Sequence, residues 1–156
     1  MTILDKELFV VSEKSSEVEV YDSIKLSFSR RWKLKELINP WDIASCIRNK
    51  CLYILDYKSF NQSNEILRVD PNGKLIKKWS TGDDYGWGLS VTGESNVILS
   101  DYNKTKLNEY SPDGQLVREV ILSSMAGIRN PRHAIKLSNG HFVVSHGLSR
   151  DDQHKV

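Results

Sequence analysis

Apolar residues fall along this chain in short runs of two kinds, and the runs recur. Continuous quartets closed by a small or acidic residue appear as LFVVS (8–12), LYILD (52–56), NVILS (96–100) and HFVVS (141–145). Their closing positions, 12, 56, 100 and 145, lie 44, 44 and 45 residues apart. A second series precedes them: NPWDIA (39–44), YGWGLS (85–90) and NPRHAI (130–135), whose third residues are Trp41, Trp87 and Arg132. A third series follows as EVEVYD (17–22), EILRVD (65–70) and LNEYS (107–111), and a fourth as RRWKL (30–34), KLIKKW (74–79) and QLVREV (115–120). Four series in fixed order at one period of about 45 residues define a repeated unit.

Each series carries strand chemistry. EVEVYD, EILRVD and KLIKKW alternate with period two, which places one face inward and one outward. LYILD and FVVS are continuously apolar, as expected of strands covered on both faces. The connectors are turns. DPNG (70–73) and SPDG (111–114) put Pro second and Gly fourth, the type I signature. No segment sustains a helical i, i+3, i+4, i+7 pattern with caps.

Four antiparallel strands per unit of this length is the arithmetic of a β-propeller blade. The expected fold is therefore all-β, a partial β-propeller of four-stranded antiparallel blades, about three and a half of them. Residues 8–34 supply strands two to four of one blade, 40–79 and 86–122 are whole blades, and 131–146 supply the first two strands of another. Propellers close with about four to eight blades, so the chain reads as an incomplete propeller. Its remaining blades lie in a longer chain, or the open blades self-associate.

Composition narrows the setting. Lys and Arg total 22 against 20 Asp and Glu, a net charge of +2 that argues against a whole-protein field for nucleic acid or membrane. No run approaches the ~18 apolar residues of a membrane span. Asp5, Lys6 and Glu7 interrupt the stretch a signal peptide needs to be apolar, so a cytoplasmic protein is expected. Cys46 and Cys51 read as reduced thiols in that setting.

The unit NPWDIAS…NKCLYILDYKS…NEILRVDPNGKLIKKW resembles the NHL repeat, through Pro40, Tyr53, Asp56, Asn64, Ile66 and Arg68. The next unit keeps Asp101 and Asn103, but Gly86 stands for the Pro and LNEYS for the Arg-Ile strand. The resemblance implies a propeller. In tripartite-motif ubiquitin ligases such propellers recognise protein or RNA, while others are extracellular or enzymatic. The cysteine–histidine patterns of RING and B-box modules are absent from this sequence.

Hairpin arithmetic locates a candidate site. It sets Asp42 opposite Asp56, Gly88 opposite Ser100 or Asp101, and His133 opposite Ser145 or His146, at one end of the innermost strands. A polar ring of Asp42, Asp56, Asp101, His133 and His146 at one channel mouth has three readings. The carboxylates bond loop N–H groups, the ring holds a metal as in lactonase- or lyase-type propellers, or His133 and His146 act as acid and base. The structural reading is preferred, with no catalytic residue, metal or cofactor assigned. Trp41, Tyr57, Tyr85, Trp87, Tyr102 and Arg132 stand at the same mouth and are the residue types that anchor partners, although both Trp residues also fit a blade-packing role. Arg30, Arg31, Trp32, Lys33 and Lys35 form a candidate RNA patch, whose competing explanation is a solvated outer strand. The expected function is a non-enzymatic recognition scaffold for a protein partner. RNA binding and a metal-dependent lactonase or lyase remain the alternatives.

Overall fold

The computed structural model describes residues 1–58, 63–82, 85–122 and 127–147, and every regular element among them is a β-strand. The chain divides into two compact units, Met1–Gly82 and Asp83–Val156.

The first unit holds two four-stranded antiparallel sheets in simple up-and-down order. One contains β1 (Thr2–Leu4), β2 (Glu7–Val11), β3 (Glu17–Asp22) and β4 (Phe28–Lys33). The other contains β5 (Pro40–Cys46), β6 (Cys51–Asp56), β7 (Glu65–Val69) and β8 (Leu75–Ser80). The second unit holds a four-stranded sheet of β9 (Gly86–Val91), β10 (Val97–Asp101), β11 (Lys106–Tyr110) and β12 (Leu116–Ile121). It also holds a two-stranded sheet of β13 (Pro131–Lys136) and β14 (Phe142–His146).

Burial follows the strand chemistry. All six residues of β6 and all five of β10 are buried, whereas β4, β8 and β12 are largely exposed edges. In the first unit Val18, Val20, Leu52, Ile54, Leu67 and Val69 pack with Phe9, Leu34 and Leu37 in one core. Burying each such side chain contributes about 1.5–3 kcal/mol. Alternation sends Tyr53 to the other face of its sheet, where it meets Trp79 edge-on at 6.1 Å. The second unit packs Ile98, Leu107, Ala134 and Val144 together.

The two Pro–Asx–Gly turns are built alike. Gly73 N donates to Asp70 O (3.0 Å), and Gly114 N to Ser111 O (2.9 Å). Both glycines take positive φ, 86° and 82°, the left-handed position that closes a type I turn into the next strand. Asp70 Oδ1 accepts from Asn72 N and Lys74 N, and Ser111 Oγ accepts from Asp113 N and Gln115 N, so one side chain in each repeat satisfies the turn.

One strand goes beyond the sequence expectation. The first sheet has four strands, because Thr2–Leu4 pairs with Glu7–Val11 through a turn at Asp5 and Lys6. Both turn residues have positive φ (47° and 69°), the primed geometry usually signalled by Asn-Gly or Asp-Gly.

Candidate functional site

The site begins with an irregularity shared by three hairpins. Pro40 faces Asp56 and Asp42 faces Leu55, so Trp41 is an extra residue on β5. Gly86 faces Asp101 and Gly88 faces Ser100, which makes Trp87 the extra residue on β9. Pro131 faces His146 and His133 faces Ser145, so Arg132 holds the same position on β13. Each is a β-bulge at the start of the first strand of its sheet, and a bulge re-aims the side chain it carries. The expected Asp42–Asp56 pairing is therefore displaced by one residue: Pro40, not Asp42, lies across from Asp56.

A backbone bond closes each bulge. Tyr57 N donates to Asn39 O (3.0 Å), Tyr102 N to Tyr85 O (3.1 Å) and Gly147 N to Arg129 O (3.0 Å). In the first two hairpins this bond places a tyrosine after the second strand beside the bulged residue, and in the third it places Gly147 there. Trp41 and Tyr57 meet at 6.4 Å between ring centroids. Trp87 and Tyr102 stack at 4.9 Å with planes 26° apart. The Arg132 guanidinium covers the Trp87 ring at 5.1 Å, and its Nε donates to Gly147 O (3.2 Å). The structure thus brings together Trp41 with Tyr57 in the first unit, and Trp87, Tyr102 and Arg132 in the second. Tyr85 joins the second group through its carbonyl.

Asp42, Asp56, Asp101 and His133 have structural partners. Asp56 is fully buried and accepts from Ile38 N (3.0 Å), Asn39 N (2.7 Å) and Lys58 Nζ (2.6 Å), capping the loop that leads into β5. Lys58 also donates to Glu36 O (3.1 Å) and pairs with Glu65 (3.1 Å). Burial opposes the Lys58 charge, but its bonds to Asp56 and Glu65 outweigh burial and hold the ammonium above its ordinary range. Asp101 caps the following turn through Asn103 N (3.0 Å) and Lys104 N (3.1 Å). Asp42 Oδ1 accepts from Ile43 N (2.8 Å). His133 is exposed, and its Nε2 bonds Leu89 O (3.0 Å), while His146 is buried opposite Pro131. Among the described residues, no three His, Cys, Asp or Glu side chains are grouped to hold a metal ion.

The basic stretch is engaged in the first unit. Arg30 makes a two-pronged ion pair with Glu7 and reaches Pro71 O (3.3 Å). Arg31 pairs with Glu17 (3.3 Å) and lies over Phe28. Trp32 packs on the core and lies against Gly73, where an added Cβ would meet the indole at 2.6 Å. Lys33 and Lys35 are exposed.

Sequence reasoning missed a second group of residues, buried polar side chains that link elements. Ser100 is fully buried; its Oγ donates to Arg132 O (2.8 Å) and accepts from Gly88 N (3.0 Å). Glu109, also buried, accepts from Asn96 (2.8 Å), Arg118 (2.7 Å) and Lys136 (3.5 Å). Polar residues at positions where alternation demands apolar ones were the available signal.

No family model and no curated protein sequence matches the chain. Solved structures do. Hydrazine synthase of Kuenenia stuttgartiensis superposes with a TM-score of 0.68 at 14% identity, over 93% of this chain and 41% of that one. The WD40 β-propeller domain of Doa1 gives 0.66 at 10% identity, over 91% and 44%. Virginiamycin B lyase from Staphylococcus aureus gives 0.65 at 12%, over 88% and 44%. The chain is an all-β partial propeller of four-stranded antiparallel blades, the last with two strands described, and spans about two-fifths of these neighbours' lengths. Likeness at such identities concerns fold alone, and propeller neighbours include both lyases and WD40 domains. Among the described residues, no helix is long and apolar enough to cross a membrane.

Proposed function

We propose that the chain is part of an NHL-like propeller acting as a non-enzymatic scaffold that recognises a protein partner. The observation that carries this reading is the repeated bulge, which presents Trp41, Trp87 and Arg132 at equivalent positions. Trp, Tyr and Arg are the side chains that dominate protein interfaces, and a rigid sheet holds them at little entropic cost. Trp41 keeps 38% of its surface exposed, so it is not consumed by the core. The NHL-like assignment draws support from Pro40 opening β5, Tyr53 and Asp56 lying in β6, Asn64 preceding β7, and Ile66 and Arg68 lying within it. The non-enzymatic assignment draws support from Asp56, whose carboxylate is already committed to two backbone N–H groups and Lys58. A cytoplasmic setting accords with the buried thiols of Cys46 and Cys51.

Site-directed photo-crosslinking tests the reading. A photoreactive phenylalanine analogue at Tyr57 or Tyr102 should trap a common protein, and the same analogue at Lys77 on the exposed strand β8 should not. Capture only from Lys77, or only of RNA, would overturn it.

A further inference from the structure

The arginines of this chain are not used alike. Arg30, Arg31 and Arg118 each pair with a carboxylate of their own sheet, from Glu7, Glu17 and Glu109. Arg132 instead lies over the Trp87 ring and spends its Nε–H on the Gly147 carbonyl, and no described carboxylate pairs with it. Three constraints fix it: the bulge that re-aims it, the indole under its face and the carbonyl at one edge. Trp87 is itself held by its stack on Tyr102. The Nη1/Nη2 edge keeps N–H donors in a planar fork whose spacing matches the two oxygens of a carboxylate.

We propose that Arg132, stacked on Trp87 and tethered to Gly147, is a preorganised receptor for a single carboxylate side chain of the partner protein. This rests on the protein-recognition reading above and names the chemistry of its ligand. The neighbouring groups favour a carboxylate over a phosphate. Among the described residues that hold this guanidinium, Trp87 and Gly147, none is a second cation. A single positive charge balances a carboxylate but leaves a phosphate dianion half neutralised. The aromatic pair alongside suits an apolar residue next to the acidic one.

Arrays of short peptides with randomised flanks and a fixed central Glu, Gln or phosphoserine, probed with the full chain, test the proposal. The Glu arrays should be retained about tenfold more than the Gln arrays, a difference of ~1.4 kcal/mol, since a charge-assisted bond is stronger than a neutral one. Arg132→Gln should erase that preference, and Arg132→Lys, which keeps charge but not the fork, should retain little of it. Circular dichroism of both variants should match the parent protein. Equal retention of Glu and Gln arrays, a Glu preference that survives Arg132→Gln, or stronger phosphoserine retention would each overturn the inference. Equal retention that still falls in Tyr102→Ala leaves protein recognition standing without the carboxylate. Retention of neither array, with no protein trapped at Tyr57 or Tyr102, removes both.

Discussion

Gly88 and Arg132 approach so closely that a Cβ at position 88 would stand 2.3 Å from the Arg132 carbonyl oxygen. Only glycine admits this contact between β9 and β13, and Ser100 fastens it from below with bonds to both residues. Gly88→Ala should therefore lower stability by about 1–3 kcal/mol, the usual range for forced overpacking. Ser100→Ala should cost about 1–3 kcal/mol, because two buried polar groups lose their partner. Urea unfolding followed by tryptophan fluorescence measures both. A Gly88→Ala protein that unfolds at the parent midpoint would show that the strands do not meet this closely.

The Asp56–Lys58 pair predicts an order of effects. Asp56→Ala removes two loop caps and leaves the Lys58 ammonium with Glu65 and the Glu36 carbonyl, so a loss of about 1–3 kcal/mol is expected. Lys58→Met leaves Asp56 its backbone donors and should cost less. Thermal melts giving the reverse order would contradict the capping role.

Acid should unfold the second unit through Glu109. Burial pushes its carboxyl up, but bonds from Asn96 and Arg118 and the charges of Arg118 and Lys136 pull it below the ordinary 4.5. Its stabilising contribution is thus complete above the unfolded value and is lost as pH falls through the lower folded value. The melting temperature should decline in that window, and Glu109→Gln should flatten the decline. An unchanged slope in the variant would assign the acid sensitivity elsewhere.

Divalent metal should leave the protein indifferent. Ca²⁺ or Zn²⁺ is expected to leave the melting temperature unchanged, because Asp56 and Asp101 already bond backbone N–H groups. A saturable rise abolished by Asp56→Ala or His133→Ala would instead support the metal-dependent alternative.

RNA binding through the outer strand makes a separate demand. Arg30 and Arg31 are each paired with a carboxylate, and Trp32 covers Gly73, which leaves Lys33 and Lys35 as the exposed cations of this stretch that pair with no described carboxylate. Arg30→Ala with Arg31→Ala should leave partner binding nearly unchanged, with a shallow salt dependence. A log–log salt slope near −0.7 per phosphate contact, lost in the double variant, would favour RNA.

The blades were legible because the repeat states its strands and turns locally: LYILD, EILRVD and DPNG each announce an element. The strand Thr2–Leu4 was not, since Asp5 and Lys6 adopt a turn that local sequence does not signal. At the site, residue types were legible but pairings were not. Counting outward from a turn assumes an unbroken ladder, and the bulge at Trp41 shifts Asp42 from Asp56 to Leu55. Bonds such as Ile38 N to Asp56, or Arg30 to Glu7, join residues 18 and 23 positions apart and leave no periodic trace.

A residue that sits outside the pleat can change without disturbing it. On either side of each bulge the ladder keeps its register, whether the extra residue is Trp41, Trp87 or Arg132. The repeat thereby separates inheritance of the scaffold from choice of what it displays. Grafting Arg132→Trp or Trp41→Arg would alter the vocabulary of the surface while leaving its grammar in place, which makes these three positions the ones at which the display can be redesigned.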